Sequence, residues 1–104
     1  MNICSYINIS MTTLTSTKQI TSIGKLLSDE TRVNILTLLL ESTADLCVME
    51  ISDAIAMSHS ATSHQLSKLE NAGVVSSFRD GQTVCYHLTD KQVTVSIRNI
   101  INNL

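Results

Sequence analysis

The stretch from Ser58 to Leu88 limits the fold more than any other part of the chain. Ser58 stands where a helix N-cap belongs, Leu66 and Leu69 supply a core stripe behind it, and Gly73 sits where a helix C-terminus favours a left-handed residue. Immediately afterwards two β-prone runs, 74–78 and 83–88, flank Arg79-Asp80-Gly81-Gln82. An Asp-Gly pair between such runs signals a hairpin, because it tolerates positive φ. The stretch therefore predicts a helix that leads through a tight turn into a two-stranded ribbon.

Upstream, Ile20, Ile23, Leu26 and Leu27 recur at the three- and four-residue steps that gather one helical face, predicting a helix over 17–27. Ser28 before Asp29 and Glu30 reads as the cap of a second helix, with Val33, Leu36 and Leu40 as its buried stripe to about Glu41. Leu46, Cys47 and Val48 form a short extended piece that leads into a helix of two to three turns marked by Ile51 and Ile55. The segment 46–73 thus reads as a short helix, a turn and a second helix. Downstream, Thr89 and Gln92 have the spacing of a capping box. Val93, Ile97, Ile100, Ile101 and Leu104 mark a last amphipathic helix whose stripe has few partners in so small a chain.

Composition agrees with a mainly α chain carrying a small β-hairpin. The 104 residues suffice for one domain, and the absence of proline, three glycines and three aromatics disfavour an all-β sandwich. A hydrophobic fraction of 43% in so short a chain predicts self-association. Net charge of −2 argues against a binder held by bulk positive charge. No membrane-length apolar run and no leader-like N-terminus are present, which predicts a cytoplasmic protein with no membrane partner. Three widely spaced cysteines, Cys4, Cys47 and Cys85, make a poor disulfide framework and read as reduced thiols. Residues 1–15, without a charged side chain, read as a flexible arm, and 16–104 as the domain. Met11 offers a second start, which would make 1–10 a start-site artefact.

The helix after Ser58 turns Ser60, Ser63, His64 and Ser67 outward, with Lys68 and Asn71 alongside. Hydroxyls and imidazole on one face suit phosphates and base edges in a major groove. The plainer reading is a solvated helix face. The runs LSDETRVNILTLLL and DLCVMEISDAIAMSHSATSHQLSKLENAGVVSSFRDGQTVCYHLTD, however, resemble the ArsR/SmtB family of small homodimeric metal- and stress-responsive repressors, over about residues 17–101. The resemblance implies a homodimeric winged helix-turn-helix that binds double-stranded operator DNA and lets go on sensing an inducer. Its first and last helices would form the dimer interface, here through Ile20, Ile23, Val93, Ile97, Ile100 and Leu104. Ser58, Ser60, Ser63 and His64 match the family's recognition-helix motif, and Arg79, Gln82 and Tyr86 fall in the wing. His59, Ser67 and Lys68 complete the expected DNA-facing set. Between Ser58 and Asp90, Lys68 and Arg79 stand against Glu70, Asp80 and Asp90, so a modest salt dependence is expected.

The resemblance also implies a ligand. Many members sense metals through Cys-x-Cys at the start of the short helix, where this chain has Cys47 and Met49. A thiolate with a thioether suits Cu(I), Cd(II) or a similar soft ion better than tetrahedral zinc, and Cys4 on the arm would be a further ligand. Without a metal role, Cys47 is a small buried hydrophobe and Met49 a core residue. Cys85 reads as structural or incidental, and His87 as a surface histidine. The family's second metal site, on the last helix, keeps Asp90 but has Gln92 and Asn103 where histidines are expected, and is read as lost. Two alternatives stand beside the metal sensor: a thiol-redox or reactive-sulfur switch using Cys4 and Cys47, and a winged-helix interaction module that has lost DNA binding. No nucleophile–base spacing and no phosphate-cradling loop point to an enzyme.

Overall fold

The structure is a computed structural model and describes residues 11–104, with side chains from Ser16 onward. The elements are α1 (Met11–Leu27), α2 (Glu30–Glu41), β1 (Leu46–Cys47), α3 (Val48–Ile55), α4 (His59–Asn71), β2 (Val75–Asp80), β3 (Thr83–Leu88) and α5 (Gln92–Asn102). Their order is the one read from the sequence. Helix α1 begins at Met11 rather than Thr17, so 11–15, expected in the flexible arm, are helical. The remainder of that arm, with Cys4, lies outside the described residues.

Capping chemistry sets the boundaries, in two places by a different residue than expected. Asp29, not Ser28, caps α2: its Oδ1 accepts from the backbone N–H groups of Thr31 at 2.8 Å and Arg32 at 3.3 Å. A carboxylate also suits the positive end of the helix dipole. Ser28 instead donates its hydroxyl to the Lys25 carbonyl at 2.7 Å. At α5 the N-cap is Lys91. Thr89, expected to cap that helix, donates to the Gly73 carbonyl at 2.7 Å and shares a 2.6 Å hydrogen bond with Thr94, tying the start of α5 to the α4–β2 junction.

The turn between α3 and α4 is made by Ala56 in the left-handed region (φ 57°), with the Met57 N–H bonded to the Ser52 carbonyl at 3.0 Å. Ser58 then caps α4, its hydroxyl accepting from the Ala61 N–H at 3.1 Å. Gly73, at φ 81°, carries the chain out of α4 into β2, and Gly81, at φ 67°, turns β2 into β3. The strands pair antiparallel from Val75 opposite Leu88 to Asp80 opposite Thr83. A third strand joins the ribbon. β1 pairs antiparallel with the other edge of β3, placing Leu46 opposite Tyr86 and Cys47 opposite Cys85, in the sheet order β1-β3-β2.

The core is gathered from α2, α3, α4, α5, β2 and β3, with Leu46 of β1 packed against it. Ile35, Leu36, Ile51, Leu66, Leu69 and Val74 are fully buried, and Ile23, Leu26 and Leu27 of α1 pack against its edge. Ile97, expected at a dimer interface, is 2% exposed and belongs to this core. Val93 and Ile101 of the same stripe pack against the margin of the core, whereas Ile100 and Leu104 stay exposed. Buried Arg32 fastens α1 to α2. Its Nε and Nη2 donate to the carbonyls of Leu26 and Lys25, both at 2.9 Å, so that it satisfies Leu26 and joins Ser28 on the Lys25 carbonyl at the end of α1.

Candidate nucleic-acid interface

Helix α4 is divided lengthwise. Thr62, Leu66 and Leu69 are buried, whereas Ser58, His59, Ser60, His64, Ser67 and Lys68 are exposed and Ser63 is half-buried. Thr62 is a threonine in the core because its hydroxyl donates to the Ser58 carbonyl at 2.9 Å. With the capping hydrogen bond of Ser58, this anchors the first turn of α4 to its own backbone and leaves His59, Ser60, His64 and Ser67 free to meet a ligand. Gln65 is held from beneath by Arg32, whose Nη1 donates to Gln65 Oε1 at 3.0 Å. These two positioning residues were not singled out from the sequence; an arginine inside an otherwise apolar stripe was the available signal.

The wing adds charge at its tip. Arg79 and Gln82 are exposed beside Asp80. Glu70, one of the acids set against DNA affinity, turns to the sheet and accepts from the Ser77 N–H at 3.1 Å. Tyr86 departs from the expected DNA-facing set, because it is 6% exposed and part of the core. Burial, with the nearby Glu70 carboxylate, holds its phenol above the ordinary tyrosine range. Its neighbour Cys85 is buried as well, and as successive strand residues point to opposite faces, β3 is covered on both faces at this point. Tyr86, Val48, Met49, His59, Ser63 and Gln82 line a cleft of about 260 Å³ between α3, α4 and the wing. His87 is half-buried, its ring 5.8 Å from that of Phe78.

The cysteines give the largest departure. Cys47 and Cys85 form a disulfide across 38 residues of sequence. Wide spacing argued against pairing, but the third strand makes the two residues direct cross-strand partners. The extended reading of Leu46–Val48 together with a strand over 83–88 was the signal that could have brought them together. Cys47 is half-buried and caps α3, where its N–H donates to the Glu50 carboxylate at 2.9 Å. Met49 is 65% exposed, not a core residue. Among the described residues no group of three or more His, Cys, Asp or Glu side chains is gathered to hold a metal ion.

Exposed apolar side chains also gather along α1 and α5. Ile20 (69% exposed) and Ile100 project from α1 and α5, and Leu104 is exposed just past the end of α5. Ile20, Ile23, Leu27 and Ile100 line a shallow groove between the two helices, and Val93 lies against Ile23 in an adjoining one. No described helix is long and apolar enough to cross a membrane.

Comparison with known proteins accounts for this arrangement. Residues 29–77 match the arsR family of bacterial regulatory proteins. The cadmium resistance transcriptional regulatory protein CadC of Listeria innocua is 36% identical over 77 residues, covering 74% of this chain and 64% of the relative, so the chain spans somewhat under two thirds of that protein's length. The solved structure of HlyU from Vibrio cholerae N16961 superposes with a TM-score of 0.72 at 30% identity, covering 84% of this chain and 92% of HlyU. The homodimeric winged helix-turn-helix DNA-binding domain of Mb0332 from Mycobacterium bovis superposes with a TM-score of 0.73 at 24% identity, covering 91% and 86%, which bears on the fold alone. These relatives are regulators of transcription or DNA-binding domains, not enzymes. With its helix-turn-helix, wing and flanking helices in the same order, this chain belongs to the arsR family of bacterial regulatory proteins and has the winged helix-turn-helix fold.

Proposed function

We propose that this protein is a cytoplasmic homodimeric repressor that holds double-stranded operator DNA through α4 and the wing, and leaves it when a soft metal ion reaches Cys47. The observation that carries the DNA reading is the division of α4: a buried stripe of Thr62, Leu66 and Leu69 holds it in place, and an outward row of His59, Ser60, His64 and Ser67 meets solvent. The row ends in Lys68, and Arg79 and Gln82 on the wing tip complete the contact set. Low basicity is offset by two copies per operator and by backbone N–H groups at the start of α4. The second copy seats on the α1/α5 groove through Ile20, Ile23, Val93, Ile100 and Leu104.

The metal reading draws on the position of Cys47 at the start of α3 and on the cadmium named for the CadC relative. Cu(I) and Cd(II) are the ions to try, with Cys4 and Met49 as further ligands. A second reading, a thiol-redox or reactive-sulfur responsive repressor, is favoured by one observation: the Cys47–Cys85 bond. Cys85 then takes the place given to Cys4 from the sequence.

Fluorescence anisotropy of the reduced protein on its own upstream DNA tests both. Replacing Ser63 and His64 by alanine should abolish binding while sedimentation still shows a dimer; an intact complex would mean that α4 is not the reading helix. Release by Cu(I) or Cd(II), lost in Cys47→Ser, supports the metal reading. Release by polysulfide alone supports the redox reading. Absence of any salt-dependent DNA retention would turn the assignment to a protein-interaction module.

A further inference from the structure

We propose that Cys47 and Cys85, once reduced, form a two-thiolate site for a thiophilic dication that is satisfied by two ligands, of the Hg(II) type. The pair is built for one small bridge. The two residues are cross-strand partners in the β1–β3 register and their sulfurs already meet in a bond. Cys47 is the accessible partner, half-buried at the start of α3, where the helix terminus favours a thiolate. Cys85 is 3% exposed on the central strand, with Phe78 as its partner on the other side.

These surroundings select the ion. Among the described residues no third His, Cys, Asp or Glu completes a cluster, so a tetrahedral ion lacks its ligands. Two thiolates carry two negative charges, and Cys85 lies out of water, where net charge is costly. A dication leaves the adduct neutral, whereas Cu(I) leaves it anionic beside the Glu50 carboxylate that accepts from the Cys47 N–H. The choice among soft ions is thereby narrowed. The chemistry balances in two steps. A thiol reductant, 2 RSH, opens the disulfide to two Cys-SH and leaves as RSSR. The dication then forms two S–metal bonds as both S–H bonds break and two protons pass to water. A linear S–metal–S unit is longer than a disulfide, so loading pushes the start of α3 away from the wing across the cleft lined by Met49, His59, Ser63 and Gln82. That regulatory consequence rests on the repressor reading, while the site itself does not.

The test is a titration of the reduced full chain with Hg(II) in the presence of excess glutathione, followed by the sulfur-to-mercury charge-transfer absorption and by native mass spectrometry. One Hg(II) per protomer should be retained about 100-fold more tightly than in Cys85→Ser or Cys85→Ala, the gain of a paired over a single thiol. Circular dichroism confirms that both variants fold. Cys47→Ser should lose Hg(II) to glutathione to the same extent as the Cys85 variants. Retention in Cys85→Ser, which keeps Cys4 and Cys47, would overturn the site, as would loss of Hg(II) to glutathione in the unmodified chain. Retention together with failure to release operator DNA would support the site and overturn the sensing reading.

Discussion

Arg32 Nη1 donates to Gln65 Oε1 at 3.0 Å, and the same guanidinium holds the Lys25 and Leu26 carbonyls at the end of α1. One buried side chain thus joins the helix proposed for dimer contact to the helix proposed to read DNA. Arg32→Ala should lower stability by roughly 1–3 kcal/mol, because the Leu26 carbonyl and Gln65 Oε1 lose a partly buried charged donor and packing of the side-chain stem is removed. A double-mutant cycle with Gln65→Ala, followed by urea denaturation, should show a coupling of about 0.5–3 kcal/mol. Additive effects would mean that α4 is positioned without this hydrogen bond.

Reduction of the Cys47–Cys85 bond removes a crosslink spanning 38 residues of sequence. The reduced chain should be about 2–4 kcal/mol less stable than the oxidised one, since its unfolded ensemble regains the freedom of that loop. Denaturation of Cys47→Ser with and without reductant supplies the control: it should be insensitive to reductant.

Asp29 gives a pH dependence whose sign is set by its partners. Its partial burial opposes ionisation, but the N–H groups of Arg32 and Thr31, with the Arg32 guanidinium at 3.6 Å, prevail and hold its carboxyl below the ordinary value of 3.8. A carboxyl depressed on folding contributes stability that is fully present above its unfolded pKa and is lost as pH falls through the lower folded value. Denaturation midpoints of the unmodified chain and Asp29→Asn should therefore differ near neutrality and converge in acid below 3.8. A difference that stayed constant across that range would assign the effect to hydrogen bonding alone.

Lys68 and Arg79 are the exposed cations of α4 and the wing. If each meets a phosphate, Lys68→Ala should weaken binding to all DNA sequences alike and reduce the salt slope by about 1 for each phosphate no longer neutralised. Measuring affinity over a range of salt concentrations checks this. An unchanged slope would place Lys68 off the DNA.

Much of the fold was legible because its signals are local. The stripe of α4, the cap at Ser58 and the positive-φ glycines at 73 and 81 act within a few residues, and each appears where the spacing placed it. The stripe of α2 is rotated from the expected one, with Ile35, Leu36 and Leu39 buried and Val33 and Leu40 only half-buried, because the packing of α2 on its neighbours chooses among adjacent apolar positions. Cap assignments at Ser28 and Thr89 failed by a residue or two, where a neighbouring carboxylate or a tertiary hydrogen bond offered a better partner. Within the site, the exposed row on α4 follows from the helical period alone. The inward turn of Tyr86 does not, because which residues of β3 are covered depends on how α2 and α3 pack against the sheet.

The sequence alone determined the order of elements, the turn between α3 and α4 and the hairpin, since backbone sterics and side-chain periodicity act over short distances. Tertiary structure decided what distant residues do. It paired Cys47 with Cys85, put Ile97 and Tyr86 into the core and set Arg32 beneath Gln65. Each of these depends on which surfaces meet when the elements pack around one core, and pairings across such separations are set by the whole chain's burial of apolar surface rather than by any local pattern.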